Sequence, residues 1–361
     1  MRYAHGLVVG KFYPLHAGHL NLLRAGLRLC DRLTVQVLGS SVESVPAEVR
    51  AEWVRAEVPQ ARVVHALDDA PVDYGSDAAW RAHLAIITAL LDAPVDAVLT
   101  GDGYGVEMAD RLGAAWVQVD PGRAATPVSG TAVRADPGRH WWALPAPVRA
   151  YLCTRVVVVG AESTGTTTLA RALAARYGTP EVPEYGRTWS EIRPGGLSRP
   201  WHTAEFDLIA REQARLEDDA AARTPRPLLV ADTDVLATTV WHERYVGTAS
   251  PTVAALAARR RPDLYLLTGD EIPFVQDGLR DGEHVRPAMT ARFRAVLDAA
   301  GVPWHEVRGT PAQRLARAAA LIDALPHGRR LADPLPQAGT EVHSAARADH
   351  IAAAPSGRVG A

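Results

Sequence analysis

Two histidines three residues apart, His16 and His19, follow a short apolar strand within Gly10-Lys11-Phe12-Tyr13-Pro14-Leu15-His16-Ala17-Gly18-His19. Leu20, Leu23, Leu27 and Cys30 recur beyond them at helical spacing, so the apolar face of the coming helix is already filled. The two imidazoles are left to face one point beside its N-terminus. A helix start carries unpaired amide N–H groups and a partial positive charge, which suits a chain of phosphates. Gly10 and Phe12 belong to the same loop, and Gly18 lets backbone approach closely. Lys11 is the single lysine among 39 Lys and Arg residues. An ammonium and a planar guanidinium are not interchangeable, so Lys11 marks a place that arginine does not fill. Downstream, Ser129-Gly130-Thr131-Ala132-Val133-Arg134 sets two hydroxyls and a forked guanidinium at a helix start; a helix cap is the plainer role of Ser129 or Thr131. Together these residues suit the recognition of a phosphate chain by positioning and charge, with no general base among them.

A second constellation follows another buried run, Arg155–Gly160. Gly160-Ala161-Glu162-Ser163-Thr164-Gly165-Thr166-Thr167-Thr168 has the glycine spacing of a Walker A phosphate loop between strand and helix. Thr167 stands where the Mg²⁺-binding hydroxyl belongs, and Thr166 occupies the position of the lysine. Loop amides do much of the phosphate binding, so the cradle survives this exchange while the cation is lost. Leu228–Thr233 ends a buried strand at Asp232, a Mg²⁺ ligand candidate with Thr167, and Asp234 lies two residues on. Glu184, Asp232 and Asp234 are the carboxylates that could orient or deprotonate a hydroxyl nucleophile. Tyr185 and Arg187 adjoin Glu184. Gln276–Asp281, with Asp277, Arg280 and the more distant Arg286, reads as a lid that carries arginines over the phosphates and offsets the missing lysine.

The elements that must hold these groups repeat one plan. Buried β-branched strands alternate with helical patterns, so the fold class is α/β, with two doubly wound parallel-sheet domains. Strands are expected over 33–38, 61–66, 97–100 and 115–119, then 228–231 and 264–267. Helices are expected over 17–30, 47–57 and 78–91, then 168–177, 203–222, 253–260 and 288–300. The domains span 1–147 and 153–328, joined through a proline-broken junction around Trp141 and Trp142. Residues 334–361 lack periodicity and read as a disordered tail. The net charge of −2 gives no basic footprint for nucleic acid or for a membrane surface. No apolar run reaches the roughly 18 residues of a membrane helix. Two cysteines inside apolar stretches fit buried thiols and a cytoplasmic protein.

GKFYPLHAGH resembles the HxGH signature of the nucleotidylyltransferase superfamily, and SGTAVR its SxTxxR element. With the WWALP junction, VVVVGAESTG, PEYGR, ADTD and VQDGLRD in order, residues 5 to 325 resemble the NadR family. That family fuses a nicotinamide mononucleotide adenylyltransferase to a ribosylnicotinamide kinase. The resemblance implies ATP, nicotinamide mononucleotide and nicotinamide riboside as substrates, Mg²⁺ as cofactor, and no tightly bound organic cofactor. It implies catalytic roles for Lys11, His16, His19, Arg134, Glu184 and Asp232. Enterobacterial members carry an N-terminal DNA-binding domain, for which this chain has no room. The departure at Thr166 leaves an alternative, an active adenylyltransferase behind which a degenerate kinase domain senses nucleotide. Self-association into a homo-oligomer is left open.

Overall fold

The β-branched runs become the inner strands of two parallel sheets. The computed structural model describes residues 2–196, 198–278, 282–326, 328, 331–332 and 334. The chain divides into two units, Met1–Arg134 together with the segment that begins at Leu331, and Ala135–Arg330.

The first unit runs β1 (Tyr3–Gly10), α1 (Ala17–Leu29), β2 (Cys30–Gly39), α2 (Ala47–Glu57), β3 (Arg62–Leu67), α3 (Asp77–Ala89), β4 (Ala97–Thr100), α4 (Gly105–Leu112), β5 (Ala115–Gln118) and α5 (Gly130–Ala135). Its five strands are parallel in the order β3-β2-β1-β4-β5. Leu7, Val9 and Val98 face Trp80, Ile87 and Met108 in the core on one side of this sheet. Cys30 does not end the helix but opens β2, paired with Tyr3. Its Sγ fills the space over Gly6, where a Cβ would come within 2.3 Å of it.

The second unit runs α6 (Ala146–Leu152), β6 (Thr154–Val159), α7 (Thr166–Tyr177), β7 (Glu181–Val182), α8 (Tyr185–Ile192), α9 (Thr203–Arg223), β8 (Leu228–Asp232), α10 (Val235–Val246), α11 (Pro251–Ala258), β9 (Leu264–Thr268), α12 (Arg286–Ala300), β10 (Trp304–Val307) and α13 (Pro311–Asp323). Its parallel order is β10-β9-β6-β8-β7. Val156, Val158, Leu173, Leu266 and Ile322 anchor its core. The boundary expected at 147 falls instead at 134, because α6 packs on α9 and Trp141 Nε1 donates to the Thr224 carbonyl at 2.9 Å. Helix α10 escaped the periodicity reading: Thr238, Thr239 and Val240 are poor helix formers. Contacts with α9, α11 and α12 override that preference.

Asp234 was a candidate for the substrate group, yet the fold places it in the core. Its Oδ1 accepts the Ala237 N–H at 2.9 Å as the cap of α10, and its Oδ2 accepts the Tyr265 hydroxyl at 2.5 Å. Burial pushes its carboxyl up. Glu217 on α9 shares this interior with Arg260 at 3.2 Å and Arg155 at 3.6 Å. Burial first, and then the Asp234 charge, push Glu217 up to about 7, against the pull of the arginines. An acid whose folded value is raised favours the fold fully below its unfolded value near 4.5, and that contribution is lost as pH rises through 7. Glu217→Gln is therefore expected to flatten the fall in stability between pH 4.5 and 7 relative to the parent, as read by denaturant melts at a series of pH values. Parallel curves would show that Glu217 ionises normally in the fold.

Candidate functional site

In the order β3-β2-β1-β4-β5 the strand order reverses between β1 and β4, and ligands of such sheets bind beyond the carboxyl ends of strands at that point. A cleft of about 550 Å³ opens there, lined by Gly10, Lys11, Phe12, His16, Gly18, His19, Ser129, Thr131 and Arg134 among others. The residues singled out at both ends of this unit's sequence are thus brought to one cavity. His16 caps α1: its extended backbone points Nδ1 back to accept the Gly18 N–H at 3.1 Å. His19 stacks on it with ring centroids 3.8 Å apart, and the Phe12 ring meets His19 edge-on at 5.0 Å. His19 Nδ1 is buried and has no hydrogen-bond partner among the described residues. Burial, then the charges of Arg123 and Arg134, lower His16 to about 4. Burial, then His16 and Arg123, hold His19 well below its ordinary value. Both rings are neutral near pH 7.

Lys11 Nζ lies 2.9 Å from Glu43 Oε1, and Glu43 Oε2 lies 2.8 Å from Arg50 Nη2. The Glu43 and Arg50 side chains are fully buried, and Arg50 Nη1 donates to the Lys11 carbonyl at 2.7 Å. Arg134 Nη1 donates to the Tyr13 carbonyl at 2.8 Å and Nη2 to Thr131 Oγ1 at 3.2 Å. Ser129 also fills its plainer role, accepting the Ala132 N–H at 3.1 Å. Sequence reasoning missed Arg123, which lines the cleft with φ +57° and pairs with Asp102 at 3.2 Å. The Asp-Pro-Gly turn before it was the available signal. Also missed was an aromatic wall: Tyr74 and Tyr104 stack 5.5 Å apart beside Trp80. Near it His83 Nδ1 meets Asp68 Oδ2 at 2.7 Å. Pro334 lines the same cleft, and the neighbouring Ala332 carbonyl accepts the Tyr13 hydroxyl at 2.7 Å. The rest of the expected tail lies outside the described residues.

In the second unit the glycine-bearing loop that begins at Gly160 connects β6 to α7, with Ser163 at φ +59° and Gly165 at φ +86°. Gly160 is required by contact, since a Cβ there would sit 2.2 Å from Thr268 Oγ1. Pairing of Val158 with Asp232 brings the end of β8 beside the loop, and Thr167 Oγ1 donates to Asp232 Oδ2 at 2.6 Å. Asp232 Oδ1 is buried without a partner among the described residues, and burial raises its carboxyl despite the hydroxyls of Thr167 and Thr166. Gly160, Ser163, Thr166, Thr167, Glu184, Arg187 and Asp232 line one cleft. Thr164 is buried behind the loop, its Oγ1 donating to the Ala161 carbonyl at 2.7 Å. Thr168 is exposed on α7 outside the cleft lining, and Tyr185 packs against the core beside α9. Arg187 Nη2 binds Asp277 at 2.8 Å. Arg280 lies outside the described residues. Arg286 does not reach over the cleft; it is buried behind the loop, donating to the carbonyls of Ser163 and Ile272. Sequence reasoning missed the wall of Trp201, Phe206, Trp241 and Tyr245 opposite Asp232, although aromatic residues make up only 6% of the chain and cluster here.

Among known proteins, residues 155–314 match a family described as an AAA domain (AAA_28). The trifunctional NAD biosynthesis/regulator protein NadR of Escherichia coli (strain K12) is 29% identical over 294 residues, 76% of this chain and 71% of that protein. The same protein of Salmonella typhimurium (strain LT2) matches at the same identity and extent. A crystal structure of NadR protein in complex with NR aligns with TM-score 0.70 at 20% identity, over 90% of this chain and 97% of that one. Another, in complex with NAD and AMP-PNP, aligns with TM-score 0.65 at 21% identity, over 89% and 95%. These solved structures share the fold.

The buried, stacked histidines generate a direct test. The His16 imidazole is expected to titrate near pH 4 instead of near 6.5 in nitrogen-15 NMR of the ligand-free protein. A midpoint near 6.5 would place the ring in solvent and remove it from the cavity described.

Proposed function

Since this chain is a homologue of the NadR proteins, we propose that it serves NAD biosynthesis, its first unit joining the AMP moiety of ATP to nicotinamide mononucleotide. The observation that carries the reading is the stacked, neutral His16–His19 pair in the cleft beside Arg134, with His19 Nδ1 left unpartnered. A phosphate oxygen of the mononucleotide attacks the α-phosphorus of ATP. A new P–O bond forms, the α–β bridge breaks, and pyrophosphate leaves with the electron pair. The attacker is already an anion, so no base is needed. The imidazoles donate N–H groups to the developing charge without competing with the arginines as cations, and Lys11 and Arg134 frame the polyphosphate. The stacked tyrosines and Trp80 offer flat faces to a pyridine or purine ring.

For the second unit we propose phosphorylation of nicotinamide riboside. Asp232, raised by burial, is suited to accept the proton of the ribose hydroxyl as its oxygen attacks the γ-phosphorus and ADP departs. Glu184 in the same cleft holds a second hydroxyl, and the aromatic wall receives the pyridinium ring by cation–π contact. Thr167 Oγ1 and the unpartnered Asp232 Oδ1 fit Mg²⁺, which when bound neutralises charge on the β- and γ-phosphates. Thr166 in the lysine position favours the other reading, a domain that binds nucleotide and senses it. Two buried thiols and the absence of any described helix able to cross a membrane support a cytoplasmic enzyme.

Chromatography of products tests both units separately. Nicotinamide mononucleotide plus ATP is expected to yield NAD, and nicotinamide riboside plus ATP the mononucleotide and then NAD. His16→Ala and His19→Ala are expected to lower NAD formation by about 10²–10³ while leaving riboside phosphorylation intact. A folded variant with parental turnover would refute the histidine assignment. Lys11→Arg is expected to cost at least about tenfold in kcat/KM for NAD formation, because a planar guanidinium does not reproduce the compact ammonium that meets Glu43 beside Arg50. Unchanged kinetics would reduce Lys11 to a surface cation.

A further inference from the structure

A phosphate loop works through its amide N–H groups, and in each trans peptide the N–H points opposite to the carbonyl. The carbonyls of Ser163 and Thr164 belong to the peptides that carry the N–H groups of Thr164 and Gly165. Two buried guanidiniums sit on that carbonyl side. Arg314, from α13, donates Nη1 to the Thr164 carbonyl at 2.5 Å, Nη2 to the Gly269 carbonyl at 3.0 Å and to Glu271 Oε1 at 2.8 Å, and Nε to the Gly309 carbonyl at 3.0 Å. Its side chain is 4% exposed, and Nη1 lies 3.6 Å from where a Cβ on Gly165 would stand. Arg286, at the start of α12, donates Nη2 to the Ser163 carbonyl at 3.4 Å and to the Ile272 carbonyl at 3.0 Å.

Burying a guanidinium is costly, and one half-exposed carboxylate, Glu271, meets only part of the charge of Arg314. A cation on a peptide carbonyl polarises the peptide, so its N–H becomes a stronger donor on the far side. It also raises the potential felt by an anion at the loop. Resting on the reading of this loop as a nucleotide site, we propose that Arg314, seconded by Arg286, is a positioning residue that supplies the loop from behind with the positive charge that Thr166 cannot bring from in front. The phosphates never touch either arginine. The charge acts through the Ser163–Gly165 peptides, which the two side chains hold with their N–H groups turned toward the anion.

Hydrogen exchange of the full-length protein, followed in a peptide spanning 160–168 during titration with MgATP, reads occupancy of this loop apart from the first unit and apart from turnover. Arg314→Gln is expected to raise the midpoint about tenfold or more. Thr166→Lys added to that variant is expected to bring the midpoint back by at least about threefold, since a cation in front replaces the one behind. A merely structural arginine predicts no such rescue. A folded Arg314→Gln protein with an unchanged midpoint, or a weakened one that Thr166→Lys leaves weakened, overturns the proposal. If Arg314→Gln unfolds the unit, Arg286→Gln read in the same way must raise the midpoint about threefold or more, and an unchanged midpoint overturns it. A parent that shows the Arg314 dependence and yet phosphorylates no riboside supports the arginine role and removes the kinase reading alone. A parent whose loop ATP never protects overturns both.

Discussion

Both units share one constraint: with a net charge of −2 the chain offers a polyphosphate no general attraction, so any such ligand needs local donors, and a turn that leaves the end of a central strand aims backbone N–H groups at one point. A parallel sheet supplies that turn, because each strand end meets the start of the helix that follows. In the first unit the turn is capped by His16, so the cap itself is a chemical group. In the second the turn is so close to β9 that only glycine fits at position 160. The register of β1 with β4 and of β6 with β8 then sets what else lies beside each turn.

The cations around these turns are restrained rather than free. Lys11 is tied to Glu43, which is itself tied to Arg50; Arg134 spans the Tyr13 carbonyl and Thr131. Side chains already fixed lose little rotamer freedom when a ligand arrives. Burial keeps His16 and His19 neutral, so they stand close to arginines without repulsion and still present N–H donors.

In the proposed reactions the two clefts divide by nucleophile. The acceptor in the first is a phosphate, and its histidines and arginines surround no carboxylate that must act as a base. The acceptor in the second is a hydroxyl, and there Asp232 and Glu184 line the cleft with Thr167. The same strand–turn–helix unit serves both chemistries because the acids come from other strand ends.

Much was legible in the sequence because it is local. The glycine spacing around 160–165, the helical spacing after His19 and the β-branched runs act within a few residues, and they announced both turns and the parallel sheets. The extent of units was less legible: Trp141 joins the second unit through a carbonyl 83 positions away. Asp234 shows the limit most clearly, since its place two residues beyond Asp232 suggested chemistry while a tyrosine from β9 draws it into the core. Arg314 and the two aromatic walls carry no local signature, because what they face is set by strand order and helix packing. Sequence alone determined that two strand–turn–helix loops exist and which residues form them. Only the tertiary structure decided which distant charges and rings surround each turn, since those contacts are made between residues that the chain separates and the sheet brings together.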